Sequence, residues 1–235
     1  MSVLFPSWMN KLPPVLAVGG LLAATGAVGG FWYYATPKFW RVGYMPTQPG
    51  GGFNHQIHAG KLGMDCRYCH TKVEKSYEAN VPNVATCYGC HGDAKLKLLT
   101  EGNVTHKERT EFIRTAFAAD ESIPWTRVHK LPDYVHNFPH QVHLNAGVSC
   151  YSCHGRIDTM PIVYHAQPLS MSFCLDCHRD PATAIVPKDK VTDLQWVQDT
   201  LKERAAGAAM SADARQVMDT VLQKQPPENC GACHY

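Results

Sequence analysis

Five times in 235 residues the pattern Cys-x-x-Cys is followed immediately by histidine. The pairs are Cys66 and Cys69, Cys87 and Cys90, Cys150 and Cys153, Cys174 and Cys177, and Cys230 and Cys233. The histidines are His70, His91, His154, His178 and His234. These pairs use all ten cysteines of the chain. Ten is too many for a cytosolic enzyme built on one catalytic thiol, and the strict spacing argues against a secreted disulfide scaffold. With 13 histidines in 235 residues, five such coincidences exclude chance.

Two cysteines three apart can form thioethers with the two vinyl groups of one haem, and the next histidine can turn its imidazole onto the iron. Zinc knuckles also use Cys-x-x-Cys, but zinc needs ligands in sets of four and gives no reason for histidine to follow every pair. A thioredoxin-like redox pair would be a single motif on a βαβ background. The motif therefore predicts five covalent haem c groups, with the five histidines as proximal iron ligands. Residues 38–235 number 198, about forty per haem, too few to bury five macrocycles in separate aliphatic cores. The haems are expected to pack together and form much of the core. The formal net charge of +2 comes without a basic stripe, so no nucleic-acid partner is expected. Haem propionates, about ten negative charges, would make the loaded protein acidic.

Between Leu12 and Pro37 there is no charged residue, and residues 15–34 form an apolar run of the length that spans a bilayer. Phe31, Trp32, Tyr33 and Tyr34 close it as rings favoured at a membrane interface. Ala23, Gly26 and Gly30 have the small-residue spacing that allows close helix approach. A cleaved secretory signal is the alternative, and the aromatic end favours a retained single-span anchor. Lys11 on one side and Lys38 and Arg41 on the other balance, so charge does not orient the span. Haem attachment to this motif takes place outside the bacterial cytoplasmic membrane, which puts residues 38–235 on the periplasmic side of an inner-membrane protein.

Eight histidines remain: 55, 58, 106, 129, 136, 140, 143 and 165. Phe53-Asn54-His55-Gln56-Ile57-His58 recurs as Phe138-Pro139-His140-Gln141-Val142-His143, and each copy leads into Gly-x-x-Cys-x-x-Cys-His at Gly63 and Gly147. A second haem motif follows each, so the chain reads as two di-haem modules about 85 residues apart, with the Cys230 motif alone at the end. The Phe-x-His-x-x-His element resembles class III multihaem cytochromes. That resemblance implies that His55 and His140 are distal ligands of the haems on Cys66/Cys69 and Cys150/Cys153, while His58 and His143 each cross to a neighbouring haem. Two histidines three apart on a helical turn can serve two stacked haems. His129 is the expected fifth distal ligand, with Met160 and Met171 as competitors because thioether sulfur is the other common axial donor. His106, among Lys107, Glu108 and Arg109, reads as a surface residue, and His136 and His165 stay unassigned.

Residues 94–120 read as a helix with Phe112, Ile113, Ala116 and Phe117 on one face. Pro124, Pro132 and Pro139 keep the approach to the second module extended. Residues 187–226 read as one or two amphipathic helices carrying the fifth haem away from or across the others. The expected fold is mainly α with extensive coil, in four parts: 1–37 with the membrane span, 38–128 with the first di-haem module and connecting helix, 129–186 with the second module, and 187–235 with the last haem.

The N-terminal span, the repeated modules, the run from Trp125 to Gly155 and Leu169-Ser170-Met171-Ser172-Phe173-Cys174, leading into Cys177-His178-Arg179, together resemble the pentahaem cytochrome c subunit of alternative complex III. The resemblance implies a non-catalytic electron conduit in a quinol-oxidising respiratory complex. Its partners would be an iron–sulfur protein and a monohaem cytochrome c, with a copper protein or terminal oxidase as further acceptors. Two other readings stand beside it. One is a small membrane-anchored quinol-dehydrogenase cytochrome feeding a periplasmic reductase, which usually has four haems. The other is a multihaem enzyme, which needs an iron with an open distal site; five proximal histidines and at least five distal candidates argue against it.

Overall fold

The computed structural model describes residues 6–35, 42–95, 104–131, 134–135 and 138–234 of the chain. The chain divides into two units, Met1–Lys38 and Phe39–Tyr235. In the first, helix α1 (Leu12–Ala35) has prolines at its first turn, where a missing N–H costs nothing. The stretch Ser7–Tyr33 is long and apolar enough to cross a membrane, and none of it is buried within the protein. Lys38, Arg41 and Pro132 lie outside the described residues.

The second unit is a string of short helices joined by coil: α2 (Cys66–Cys69), α3 (Val84–His91), α4 (Val104–Arg109), α5 (Glu111–Ala118), α6 (His140–Asn145), α7 (Cys150–His154), α8 (Met171–Arg179), α9 (Leu194–Ala205) and α10 (Ala212–Lys224). Among the described residues there is no strand, and extended pairing is limited to an isolated bridge between Val148 and Ile185. Of the helix expected over 94–120, the described residues 104–118 form two helices. They meet at Thr110, whose hydroxyl donates to the His106 carbonyl at 2.8 Å. Residues 96–103 are outside the described residues. The predicted apolar face is used: Ile113 is buried, Phe117 stacks on Tyr88 at 3.7 Å, and Phe112 meets Trp125 edge-on at 6.0 Å.

The apolar core is small. Among the described residues a dozen hydrophobic side chains are buried, concentrated between Ala184 and Val197. Val186, Val191 and Val197 pack with Val73 of the first module and Leu144 of the second, and Cys150 and Tyr151 lie against them. The C-terminal extension therefore runs back across both modules. Arg156, just after the third motif, is held by a bidentate pair with Asp158 at 2.8 Å and fastens the extension by bonds to Gln195 and Gln198 of α9. So few buried side chains are a small apolar core for a unit of this size.

Candidate haem sites

Four of the five cysteine pairs sit on helical turns whose start is set by a side-chain cap. Asp65 and Ser149 immediately precede Cys66 and Cys150 and accept from the backbone N–H groups of Arg67 and Tyr151. Asn83 and Ser170 cap one turn earlier and accept from Thr86 and Phe173, which places Cys87 and Cys174 a full turn inside α3 and α8. Such caps satisfy amide groups that a short helix otherwise leaves open. The alternation of a short and a longer helix follows the repeat seen in the sequence.

The last motif departs from this pattern. Its single turn, Cys230–Ala232, has no side-chain cap and ends before the second cysteine. In the other four motifs Cys69, Cys90, Cys153 and Cys177 lie inside the helix, whereas Cys233 lies just past the turn. Two backbone bonds still close the motif: the N–H groups of Cys233 and His234 both donate to the Cys230 carbonyl, at 3.3 and 2.9 Å. Cys233 is partly buried and Cys230 is exposed. The five motifs, identical in sequence spacing, are therefore not identical in backbone, because only four of them have a capping side chain and a helix long enough to hold both cysteines.

The histidine repeat has one geometry in both modules. Phe53 is edge-on to His55 at 4.7 Å and stacked on His58 at 4.3 Å. Phe138 is edge-on to His140 at 5.0 Å and stacked on His143 at 4.6 Å. The phenylalanine of Phe-x-His-x-x-His thus orients both imidazoles. The second histidine of each module then faces the histidine that ends the module's second Cys-x-x-Cys-His motif: His58 is 6.0 Å from His91, and His143 is 6.1 Å from His178, between ring centres. Metal–imidazole bonds of roughly 2 Å on opposite sides of one metal separate ring centres by about 6 Å.

Hydrogen bonds set the tautomers. The Nδ1 atoms of His58, His140 and His143 lie 2.9, 2.6 and 2.9 Å from the carbonyls of Asn54, Tyr77 and Pro139. Those of the motif histidines His70, His178 and His234 lie 2.6, 2.6 and 2.9 Å from the carbonyls of Asn80, Pro227 and Tyr134. A carbonyl only accepts, so Nδ1 carries the proton and Nε2 keeps the lone pair a metal needs. Burial acts in the same direction. It lowers His55 and His129 to about 4, with neighbouring histidines adding to the effect, and together with His129 and other nearby histidines it pushes His154 well below the usual histidine range. These rings stay neutral and available as donors near neutral pH.

None of the ten cysteines is paired in a disulfide. Burial, with the nearby Cys174 and Cys177 thiols, pushes Cys153 up to about 12. Cys66 and Cys150 face each other across the two modules, and their mutual hydrogen bond lowers Cys66 and raises Cys150. Among the described residues no group of three or more His, Cys, Asp or Glu side chains is placed to hold a bare metal ion. Pairs of facing histidines beside cysteine pairs are instead the donor set of a haem, whose porphyrin supplies the other four nitrogens. The Nε and one terminal nitrogen of Arg204 are buried without a partner, a donor arrangement that suits a propionate carboxylate. The residues present fit covalent haem.

Two histidines that the sequence left aside lie within this arrangement. His106 is half-buried with its ring 5.3 Å from His91; its charged neighbours gave no sign of this. His165 is completely buried, with Nδ1 3.4 Å from the Val128 carbonyl and Nε2 buried without a partner. It stacks on His129 at 5.2 Å, and His129 in turn meets His154 at 4.3 Å. Of the two methionines, Met160 is buried and Met171 is 64% exposed at the start of α8. His136 lies outside the described residues.

Residues 136–235 match the family model described as cytochrome c7 and related cytochrome c. Over 102 residues the chain is 28% identical to the multihaem cytochrome c subunit of a menaquinone reductase from Nitratidesulfovibrio vulgaris. That alignment covers 43% of this chain and 43% of the relative.

Proposed function

Starting from a multihaem c-type cytochrome with an electron-transfer role, we propose that this chain carries five covalent haems and relays electrons inside a membrane-bound quinol-oxidising complex of the alternative complex III type. The observation that carries the reading is the repeated orientation of two histidines by one phenylalanine, with the second histidine about 6 Å from the histidine of the module's second motif in both modules. Haem supplies the one-electron couple. The chain's residues attach it through the ten cysteines, from Cys66 to Cys233, ligate it with paired imidazoles, and fix those imidazoles through backbone carbonyls.

His70, His91, His154, His178 and His234 are the proximal ligands, and His55, His58, His140 and His143 are four of the distal ones. Helix α1 anchors the chain in the bacterial inner membrane with the haem unit on the periplasmic side. An iron–sulfur protein delivers electrons, and a monohaem cytochrome c or terminal oxidase receives them. The purified chain should have the mass of five attached haems and show only low-spin, six-coordinate ferric signals by EPR. A stoichiometric high-spin signal in the unsubstituted protein would defeat the conduit reading and point to an enzyme.

One observation favours a second reading. The similar chain from Nitratidesulfovibrio vulgaris is a subunit of a menaquinone reductase, so electrons in a complex of that kind run toward the quinone. Quinol-driven reduction of the haems in the intact complex supports quinol oxidation; haem oxidation by added menaquinone, without the reverse reaction, supports the reductase.

The fifth distal ligand also separates into two assignments. His129 is the one expected from sequence. Its Nε2 lies 3.4 Å from the backbone N–H of Ala166, whereas Nε2 of His165 is enclosed and without a partner, which favours His165. A buried, unpaired ring nitrogen costs about 1–3 kcal/mol unless something binds it. If His165 is the ligand, His165→Ala converts one haem to five-coordinate while His129→Ala leaves all five low-spin. The opposite pair of spectra assigns His129.

A further inference from the structure

We propose that the five haem-attachment motifs are strung in space in the order second, first, third, fourth, fifth, so that the Cys87/Cys90 and Cys230/Cys233 motifs are the two ends of the electron path. The inference rests on the five-haem reading above and deepens it, because the chain order alone would place the Cys66/Cys69 motif at one end.

Contacts between residues far apart in sequence define each link. The second and first motifs are joined by the turn that carries His55 and His58, since His58 faces His91 at 6.0 Å while its carbonyl accepts from the N–H of Met64, two residues before Cys66, at 3.0 Å. The first and third motifs are joined through α6. The backbone N–H of His140 and its Nδ1 both donate to the Tyr77 carbonyl, at 3.0 and 2.6 Å, and the Gln141 N–H donates to Ser76 at 3.2 Å. Asn145 donates to the Glu74 carbonyl at 3.1 Å, Val73 and Cys150 belong to one hydrophobic cluster, and the Cys66 and Cys150 thiols interact directly. The third and fourth motifs are joined by His143 facing His178 at 6.1 Å and by the proximity of Cys153 to Cys174 and Cys177. The fourth and fifth are joined where His178 Nδ1 donates to the Pro227 carbonyl at 2.6 Å and Arg179 pairs with Glu228 at 3.0 Å, only two residues before Cys230. The Cys174 thiol also lies close enough to that of Cys233 for the two to interact.

Exposure supports the same order independently. Cys90 and Cys230 are the exposed cysteines, one in each end motif, and the other eight are partly buried. Both ends of the string are therefore open to a one-electron donor or acceptor on another protein, while Ser149, at the head of the third motif, is buried in the middle. Each transfer along the string oxidises one iron by one electron and reduces its neighbour by one.

The test injects an electron at one end and changes the first haem. With the ten native cysteines attached to haem, an added cysteine is the single free thiol. Lys95→Cys, on an exposed residue five positions after Cys90, carries a ruthenium photoreductant. His143→Ala marks the fourth haem by making it five-coordinate, so its reduction after a flash is read at its own absorption band. His55→Met then raises the potential of the first haem, whether the thioether binds or leaves the iron five-coordinate. In the proposed order the electron is held at the first haem, and its arrival at the fourth slows by at least about tenfold. From a label at exposed Lys224→Cys, six residues before Cys230, arrival at the fourth haem stays unchanged. Unaltered arrival from the Lys95 label, with all five haems attached, overturns the order. A mass showing fewer than five haems overturns the five-haem reading instead.

Discussion

His143→Ala should leave every haem attached and convert the haem on Cys174 and Cys177 to five-coordinate, while the haem on Cys150 and Cys153, the nearer motif in sequence, stays low-spin. The reason is the 6.1 Å approach of His143 to His178 together with the Pro139 carbonyl that holds its Nδ1. Removing the imidazole deletes one axial donor and leaves the proximal bond and both thioethers in place. The assignment is read by combination. The high-spin EPR signal of His143→Ala should vanish when Cys174 and Cys177 are both replaced by serine and persist when Cys150 and Cys153 are. A signal that behaves the other way would place His143 on the haem that follows it. The first module predicts the same of His58→Ala and the Cys87/Cys90 haem. His106→Ala provides the contrast: its ring is also near His91, at 5.3 Å, but His58 has the separation of a trans pair, so His106→Ala should leave the spectrum low-spin.

The second large effect is expected at Gly147. Its φ is +82°, and a β-carbon added there would lie 2.5 Å from the Val186 carbonyl and 3.0 Å from the Val217 side chain. The Gly147 carbonyl also accepts from the Val186 N–H at 2.9 Å, so the segment cannot move away without losing the link between the third haem motif's approach and the end of the second module. Gly147→Ala should combine left-handed backbone strain of roughly 1–2 kcal/mol with a clash against main chain, for a total loss of about 3–4 kcal/mol. Gly63, its counterpart before the first haem motif, has φ +67° but open space where the β-carbon would go. Gly63→Ala should cost only the backbone strain, about 1–2 kcal/mol. Denaturant unfolding of the haem-loaded variants measures both. Equal losses would show that the Val186 contact does not matter.

These two glycines show where sequence reading stops. Both precede a haem motif by the same spacing and look equivalent along the chain. They differ because residue 186, about forty positions downstream, lies over one and nothing lies over the other. The two unassigned or dismissed histidines follow the same pattern. His165 has no motif around it, and its importance comes from complete enclosure beside Val128 and His129. His106 is surrounded in sequence by charge, yet helix α4 turns its ring toward His91. The helix expected over 94–120 was legible in its apolar face and not in its break, which depends on the Thr110 hydroxyl bonding back to His106. Cys233 was legible as the partner of Cys230 from spacing alone, but not as the one second cysteine that falls outside its helical turn.

By itself the sequence determined the local chemistry. Five contiguous Cys-x-x-Cys-His motifs, the twofold Phe-x-His-x-x-His repeat and the N-terminal apolar run are patterns within a few residues or a single helix, where spacing dictates which groups can act together. The tertiary structure decided the arrangement of those parts: His58 set against His91, His143 against His178, α6 bound to the Tyr77 carbonyl, and the C-terminal extension laid across both modules. The physical reason is that motif chemistry is fixed by covalent neighbours, whereas the relative placement of motifs is fixed by hydrogen bonds and packing between residues far apart in the chain, 63 positions for His140 and Tyr77 and 127 for Thr192 and Asp65, which no local pattern encodes.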